Sequence, residues 1–510
     1  MVHRKQRTAS GRTPGPFHLR VLLFILAMVF AFTSPASAHV GNKDVYQTVT
    51  AGPYKLFVTI RTPTVIPGVA TIEVRSAGAP ISGISVTPLP LAGEASKHPP
   101  TSDPMQASAA DPSFFTGSLW IMATGSWQVR LTVDGPAGHE IAGVPVPASS
   151  TQILTMQRPM GMLLGALGLL LMLGIVGIVA AATREARLEP GVAPDAPRQR
   201  RALFAGAGAL VFAIGAVLLG GWWWNVEAAD YSLHVHRNSE MRPTLAGNQL
   251  SLLLGDPDKE AEGGWRVVKN VQLLPDHGHL MHLYAIRWPE MDAVFHLHPE
   301  PTGKRGLAET LPAMPPGTYH LYADVVFAPA AFPETETSIL TIPEGMSSAP
   351  LAPEDASATP APLSAGQLGP SYKLPDGYTM VWDKPATLAA NTGTNFVFHL
   401  LDPQGKPATD MHLYLGMTGH AAFVKTDGTA FAHTHPEGSA AMPAVMMVNQ
   451  SSMSAAMPDM QGMIMENMPE QVSPTVSFPY GFPSSGRYRL FIQMKHGNTV
   501  ETGVFDADVQ

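Results

Sequence analysis

Two apolar runs, Pro159 to Ala182 (PMGMLLGALGLLLMLGIVGIVAAA) and Ala202 to Trp224 (ALFAGAGALVFAIGAVLLGGWWW), are each long enough to cross a bilayer as a helix. In lipid only an element that satisfies its own backbone is viable, so these runs divide the remaining chain by membrane side. Between them, TREARLEPGVAPDAPRQRR gathers Arg184, Arg187, Arg198, Arg200 and Arg201, and such a loop stays cytoplasmic. The expected spans are 156–183 and 202–224, joined by a cytoplasmic loop over 184–201, with Trp222, Trp223 and Trp224 in the outer headgroup layer.

The start of the chain predicts the same topology. A basic segment with Arg4, Lys5, Arg7, Arg12 and Arg20 leads into VLLFILAMVFAF and then TSPASA, the pattern of a signal peptide over 1–38 with an A-x-A site at Ala36 to Ala38. Cleavage there would leave His39 first. The expected location is the inner (cytoplasmic) membrane, with both large regions facing the periplasm or outside. A net charge of -8, with basic clusters confined to the signal and the loop, argues against nucleic acid as a partner. The chain has no cysteine, so soft-metal chemistry must use methionine and histidine.

The exported parts are mainly β. YKLFVTIRTP, VATIEVRS and SWQVRLTVDG alternate and are punctuated by Pro and Gly, which predicts an antiparallel β-sandwich over 39–155. Beyond the second span, a Pro, Ala and Ser-rich stretch over 346–370 has the composition of an extended linker. It separates two copies of one unit, 225–345 and 371–510. The copies align His282 with His420, His296 with His433, His298 with His435, and Gly317 with Gly486, which indicates internal duplication.

Each copy carries a strand beginning at a histidine, a polar turn (RWPEMD or KTDG), and a strand ending in His-x-His-Pro. Strand side chains alternate faces, so His433 and His435 point the same way, about 6 to 7 Å apart at Cα. An antiparallel partner brings His420 opposite them, and the same holds for His282, His296 and His298. His277 and His279 lie just upstream in the first copy, and His496 is available from a later strand of the second, where the first has Phe327. Imidazole clusters suit copper, zinc or nickel.

The second copy also has an insertion, 442–468, with nine methionines, among them Met447, Met453, Met457, Met460, Met463 and Met465. Thioether sulfur selects Cu(I). The stretch lacks clear helical or strand periodicity and is broken by Pro, Ser, Gly and Asn, so a flexible loop is expected rather than a core helix. His39, if made N-terminal, offers an α-amine and an imidazole to one copper ion, with His98 or His139 as the second imidazole.

The duplicated segments resemble the YtkA-like and FixH-like exported β-sandwich modules, a group associated with copper or heavy-metal handling. The resemblance is carried by PDHGHLMHLYAI, FHLHPE and GTYHLYADVVF in the first copy and by MTGHAAFV, FAHTHPEG and GRYRLFIQMKHG in the second. It implies immunoglobulin-like domains and a metal-associated role, not a reaction. The start His39-Val40-Gly41 resembles periplasmic copper-resistance proteins that begin with histidine.

These features predict a membrane-anchored protein that captures copper, Cu(I) through methionines and Cu(II) through histidines, for tolerance or delivery. Its expected partners are the bilayer and a copper-receiving or copper-exporting envelope protein. Two alternatives stay open: a zinc enzyme with three histidine ligands and a water position, and a structural or adhesive β protein whose histidines are satisfied core groups.

Overall fold

The computed structural model of the chain describes residues 39–40, 44–153, 156–189, 191–233, 235–236, 238, 240–255, 272–303, 305–456 and 472–510, with only the backbone at 39–40 and 451–456. The expected signal peptide lies outside these residues. The protein is mainly β, with several antiparallel sheets and two long apolar helices.

In the first module, strands Val45–Ala51, Tyr54–Arg61, Gly68–Gly78 and Phe114–Ile121 form one sheet, and Gly83–Pro90, Gly125–Gly135 and Gly138–Ala148 form another. Alternation puts Leu56, Val58 and Ile60 on the inner face, where they meet Val129, Leu131 and Val133 of the facing sheet. Two helices follow, α1 (Arg158–Glu185) and α2 (Ala196–Leu233), both long and apolar enough to cross a membrane. With 38 residues, α2 outruns its apolar span at both ends. At about 1.5 Å per residue it is far longer than a hydrocarbon core of about 30 Å. Its final turns reach the first module, where the Tyr231 hydroxyl lies 3.0 Å from Ser150 Oγ.

The two copies fold alike. In the first, β1 (His282–Arg287) pairs with β2 (Val294–Leu297) and with β3 (Gly317–Phe327), which pairs with β4 (Phe332–Ile342). In the second, β5 (His420–Lys425) pairs with β6 (Ala430–Thr434) and with β7 (Gly486–His496), which pairs with β8 (Thr499–Val509). One face of each sheet covers its module's own core: Leu283, Ala285, Phe295 and Leu297 in the first, Ala421, Phe423, Ala430 and Ala432 in the second. The opposite faces meet each other through Tyr284, Ile286, Val294 and Tyr322 against Ala422, Val424, Phe431 and Phe491. Both sheets are therefore buried on both sides, which fixes their register strongly.

Two sequence expectations change. The 346–370 stretch is not a free spacer: Ala356–Ala358 adds a strand beside β2, and the Ala361 carbonyl accepts from the buried Arg489 side chain. The methionine-rich insertion is helical over its first part, α3 (Met442–Ala456). Among its described side chains the buried ones are Ala444 and Val448, too few and too small to give a periodic signal. The helix packs on strand Gly138–Ala148 of the first module, where a Cβ on Gly143 would come within 2.3 Å of Val448 Cγ1.

Candidate metal centre

Parity places the histidines. On β1, residues 283 and 285 face the module's own core, so His282 joins Tyr284 and Ile286 on the other face. The same count sends His296, His298, His420, His433 and His435 to the face where the two modules meet. A turn just before β1, in which Asp276 and His279 exchange backbone hydrogen bonds of 2.8 and 3.0 Å, adds His277 and His279. Eight imidazoles thus meet between two sheets. The rings of His420, His433 and His435 lie 4.7 to 5.5 Å apart at their centroids, and His282 lies 6.1 Å from His420 across the modules.

Two sets of three offer one ligand atom each within 4.8 Å of one another: His282, His296 and His298 within the first module, and His277, His420 and His435 across the two. Tetrahedral coordination at about 2.0–2.1 Å needs nitrogens about 3.3–3.5 Å apart, so a contraction of at most about 1.5 Å would seat an ion in either set.

The modules lend each other acceptors reciprocally. Gln493 on β7 receives His296 Nδ1 at 2.8 Å, and the equivalent Asp324 on β3 lies 3.1 Å from His433 Nδ1. His298 Nδ1 donates to Asp355 Oδ1 at 2.9 Å, and His279 Nε2 lies 3.0 Å from Glu354 Oε2, both carboxylates coming from the linker. His282 Nε2 reaches the Asp276 carbonyl at 3.0 Å, and its Nδ1 is 3.1 Å from His296 Nε2. This chain from the Asp276 carbonyl to Gln493 Oε1 has three gaps between acceptor ends, and two neutral imidazoles supply two protons. A third proton, a reversed Gln493 amide or a metal ion each completes it, and burial opposes the proton.

The cross-module set is different in kind. Both nitrogens of His420, both of His435 and Nε2 of His277 are buried with no hydrogen-bond partner among the described residues. Each unmatched buried polar group costs about 1–3 kcal/mol, so five of them are a poor fit to a purely structural role.

Burial also decides protonation. It pushes His277 down to about 4, with neighbouring imidazoles adding to the effect. It holds His282, His296, His420 and His435 well below the usual histidine range, with neighbouring imidazoles adding to the effect. His298 is lowered by burial against the opposing pull of Asp355. The rings are therefore neutral, the form that ligates metal. Asp276 is raised to about 6 by burial.

The remaining predicted ligands lie elsewhere. His496 shares the face of Leu490, Ile492 and Met494, two-residue steps that end at the module's core rather than the interface, so it does not join His420, His433 and His435. It sits instead among Asp376, Asp410 and Glu501. Met447 packs against Val326, Ala331 and Ala444. The side chain of Met453, and Met457, Met460, Met463 and Met465 entirely, lie outside the described residues, as does the side chain of His39. His98 and His139 are exposed beside Glu94 and Asp134.

Sequence reasoning missed Asp276, Asp324, Asp355, Gln493 and Tyr414. Tyr414, whose hydroxyl donates to the Glu354 carbonyl at 2.8 Å, begins the second copy's equivalent of the Asp276 turn. The signal was that alignment: Asp276-His277-Gly278-His279 stands against Tyr414-Leu415-Gly416-Met417, with positive φ at His277 and Leu415 and at both glycines.

Residues 373–510 match a family model described as Domain of unknown function (DUF8832). No curated protein matches the chain. Among solved structures, a 1.5-MDa bacterial ice-binding adhesin is 7% identical over 90% of this chain and 99% of its own, with a TM-score of 0.15. The α-2-macroglobulins of Salmonella and E. coli are 8% and 9% identical over 91% and 90% of this chain, with TM-scores of 0.19 and 0.16. The chain spans about a quarter of those two macroglobulins, 24% and 26%. At such scores these likenesses carry no argument about fold or function.

Proposed function

We propose that this is a membrane-anchored, outward-facing protein of paired immunoglobulin-like sandwiches that captures copper between its two histidine-bearing modules, for tolerance or for delivery to another envelope protein. The observation that carries the reading is the cross-module set, His277, His420 and His435, buried, neutral and with five nitrogens unmatched among the described residues. Imidazole-only donors suit copper, zinc and nickel, and copper stands highest in intrinsic affinity. The methionine-rich 442–468 segment supports copper over zinc as a source of soft donors, although Met447 itself serves packing. The likeness to YtkA-like and FixH-like modules points the same way.

A zinc enzyme needs a general base at an open coordination position. The carboxylates closest to the rings, Asp355, Glu354, Asp324 and Asp276, are each engaged in hydrogen bonds, Glu354 with His279 itself, which favours binding over turnover.

The test is metal counting on the full chain in detergent, titrated with Cu(II) under competition from a chelator. Two tightly bound equivalents are expected, and His420→Ala with His435→Ala should remove one of them. Failure of the wild-type chain to bind copper, or an unchanged count in the double variant, would overturn the reading.

A further inference from the structure

The histidine that parity removed from the interface stands in a separate constellation. His496 ends β7, Glu501 lies three residues into β8 on the paired strand, Asp376 lies in the turn between strands Ser371–Lys373 and Thr379–Trp382, and Asp410 just precedes strand Met411–His412. One ligand atom each from Asp376, His496 and Glu501 lies within 4.8 Å of the others.

The imidazole is held as a metal-ligating histidine is held. Its Nδ1 lies 3.2 Å from Asp410 Oδ2, and Tyr378 stacks on the ring at 3.9 Å while donating its hydroxyl to the same carboxylate oxygen at 3.2 Å. A carboxylate on one ring nitrogen fixes the tautomer and turns the other nitrogen's lone pair outward, the usual support of a ligating histidine. That other nitrogen, Nε2, is buried in a residue 7% exposed and makes no hydrogen bond, although Asp376 Oδ2 is only 2.8 Å away. Two acceptors thus face each other. Glu501, also 7% exposed, brings a third carboxylate to the same point. An imidazolium bridging Asp376 and Asp410 is the rival arrangement, but the Nε2 contact lacks hydrogen-bond alignment.

We infer that Asp376, His496 and Glu501 form a second kind of metal site, taking one divalent cation of the manganese class, with Asp410 and Tyr378 orienting the imidazole. The donor set decides the class. Oxygen-rich ligands suit harder cations, whereas the imidazole-only sets at the module interface suit copper, so the chain would sort two metals by donor chemistry. Asp376 and Asp410 keep side-chain exposures of 31% and 44%, which leaves room for water ligands and an open path for the ion.

The experiment is a Mn(II) titration of the full chain in detergent, with free ion followed by its electron paramagnetic resonance signal. One bound equivalent is expected, weakened at least tenfold by Glu501→Gln and by Asp376→Asn, and unaffected by His420→Ala with His435→Ala. The last comparison keeps this site independent of the copper reading. Absence of bound Mn(II) in the wild-type chain would sink the inference. So would equal binding by both carboxamide variants, each near-isosteric, with Asp376 at a solvent-facing edge and Glu501 buried.

Discussion

The two copies are near equivalents in backbone and unequal in chemistry. His282, His296 and His298 correspond to His420, His433 and His435, and each sheet hands its partner an acceptor from the same strand position, Asp324 or Gln493. The copies part at one turn. The first carries Asp276, His277 and His279 where the second carries Tyr414, Leu415 and Met417. Because the turns lie close to the interface, the extra His277 reaches over to His420 and His435, and no counterpart at Leu415 returns the favour. One set consequently draws its three rings from a single module and is largely hydrogen-bonded, with only His298 Nε2 unmatched, while the other exists only when the modules are docked and leaves both nitrogens of His420 without a partner among the described residues. Symmetry built the framework, and its local failure brought a third imidazole to His420 and His435.

The largest expected effect is on acid stability of the metal-free chain. His277 has a folded value of about 4 against an ordinary 6.5, so from pH 6.5 down to 4 the unfolded chain binds a proton that the folded chain refuses. Stability therefore falls with pH in that window, by about 2 kcal/mol at pH 5 from this residue alone. His282, His296, His298, His420 and His435 act in the same direction. Asp276, raised to about 6, and Glu309 and Glu501, each raised to about 7, act in the opposite one and offset part of the loss. Imposing the second copy's residue on the first, His277→Leu, should shrink the difference in urea midpoint between pH 7 and pH 5. An unchanged difference would show that His277 is not buried against the other module.

The second effect separates the two sets. Asp355→Asn keeps the shape beside His298 but replaces a charged acceptor by an amide. It should weaken metal binding at the His282, His296 and His298 set by about 10- to 100-fold, the usual cost of a lost supporting carboxylate. Binding at the cross-module set should be unchanged. Chelator competition on the wild-type and variant chains resolves the two, and equal weakening of both would mean that they fill as one unit.

How much of this was legible in the residues follows from which contacts are local. The two apolar helices, the hairpins and the His-x-His pairs are short-range patterns, and the structure has them. That His496 stands apart from the other rings was hidden by β7 itself: Leu490, Phe491 and Ile492 are apolar on both faces, as in a strand buried on both sides, so the core face was not evident until Gln493 was seen at the interface. The helix Met442–Ala456 was hidden because its buried stripe is small residues and its backing strand, Gly138–Ala148, is some 300 positions earlier in the chain. Asp355 sits in a stretch whose composition argues for a spacer, and only the docking of that stretch beside β2 brings its carboxylate to His298.

The smallest expected effect tests whether the two sets communicate. Tyr284 stacks on His296 at 4.2 Å, nearly parallel, and points its hydroxyl at Gln493 Oε1 from 3.4 Å. That contact is long, and Gln493 is also held by His296 and Thr502, so Tyr284→Phe removes a weak donor while preserving the stacked ring. The expected change is less than about threefold in affinity at the His282, His296 and His298 set, and nothing at His277, His420 and His435. Because Gln493 belongs to the second module and His296 to the first, a tenfold change at the cross-module set would show that the reciprocal acceptors transmit metal binding from one copy to the other. In that case the centre would have to be treated as a single eight-imidazole unit rather than two neighbouring ones.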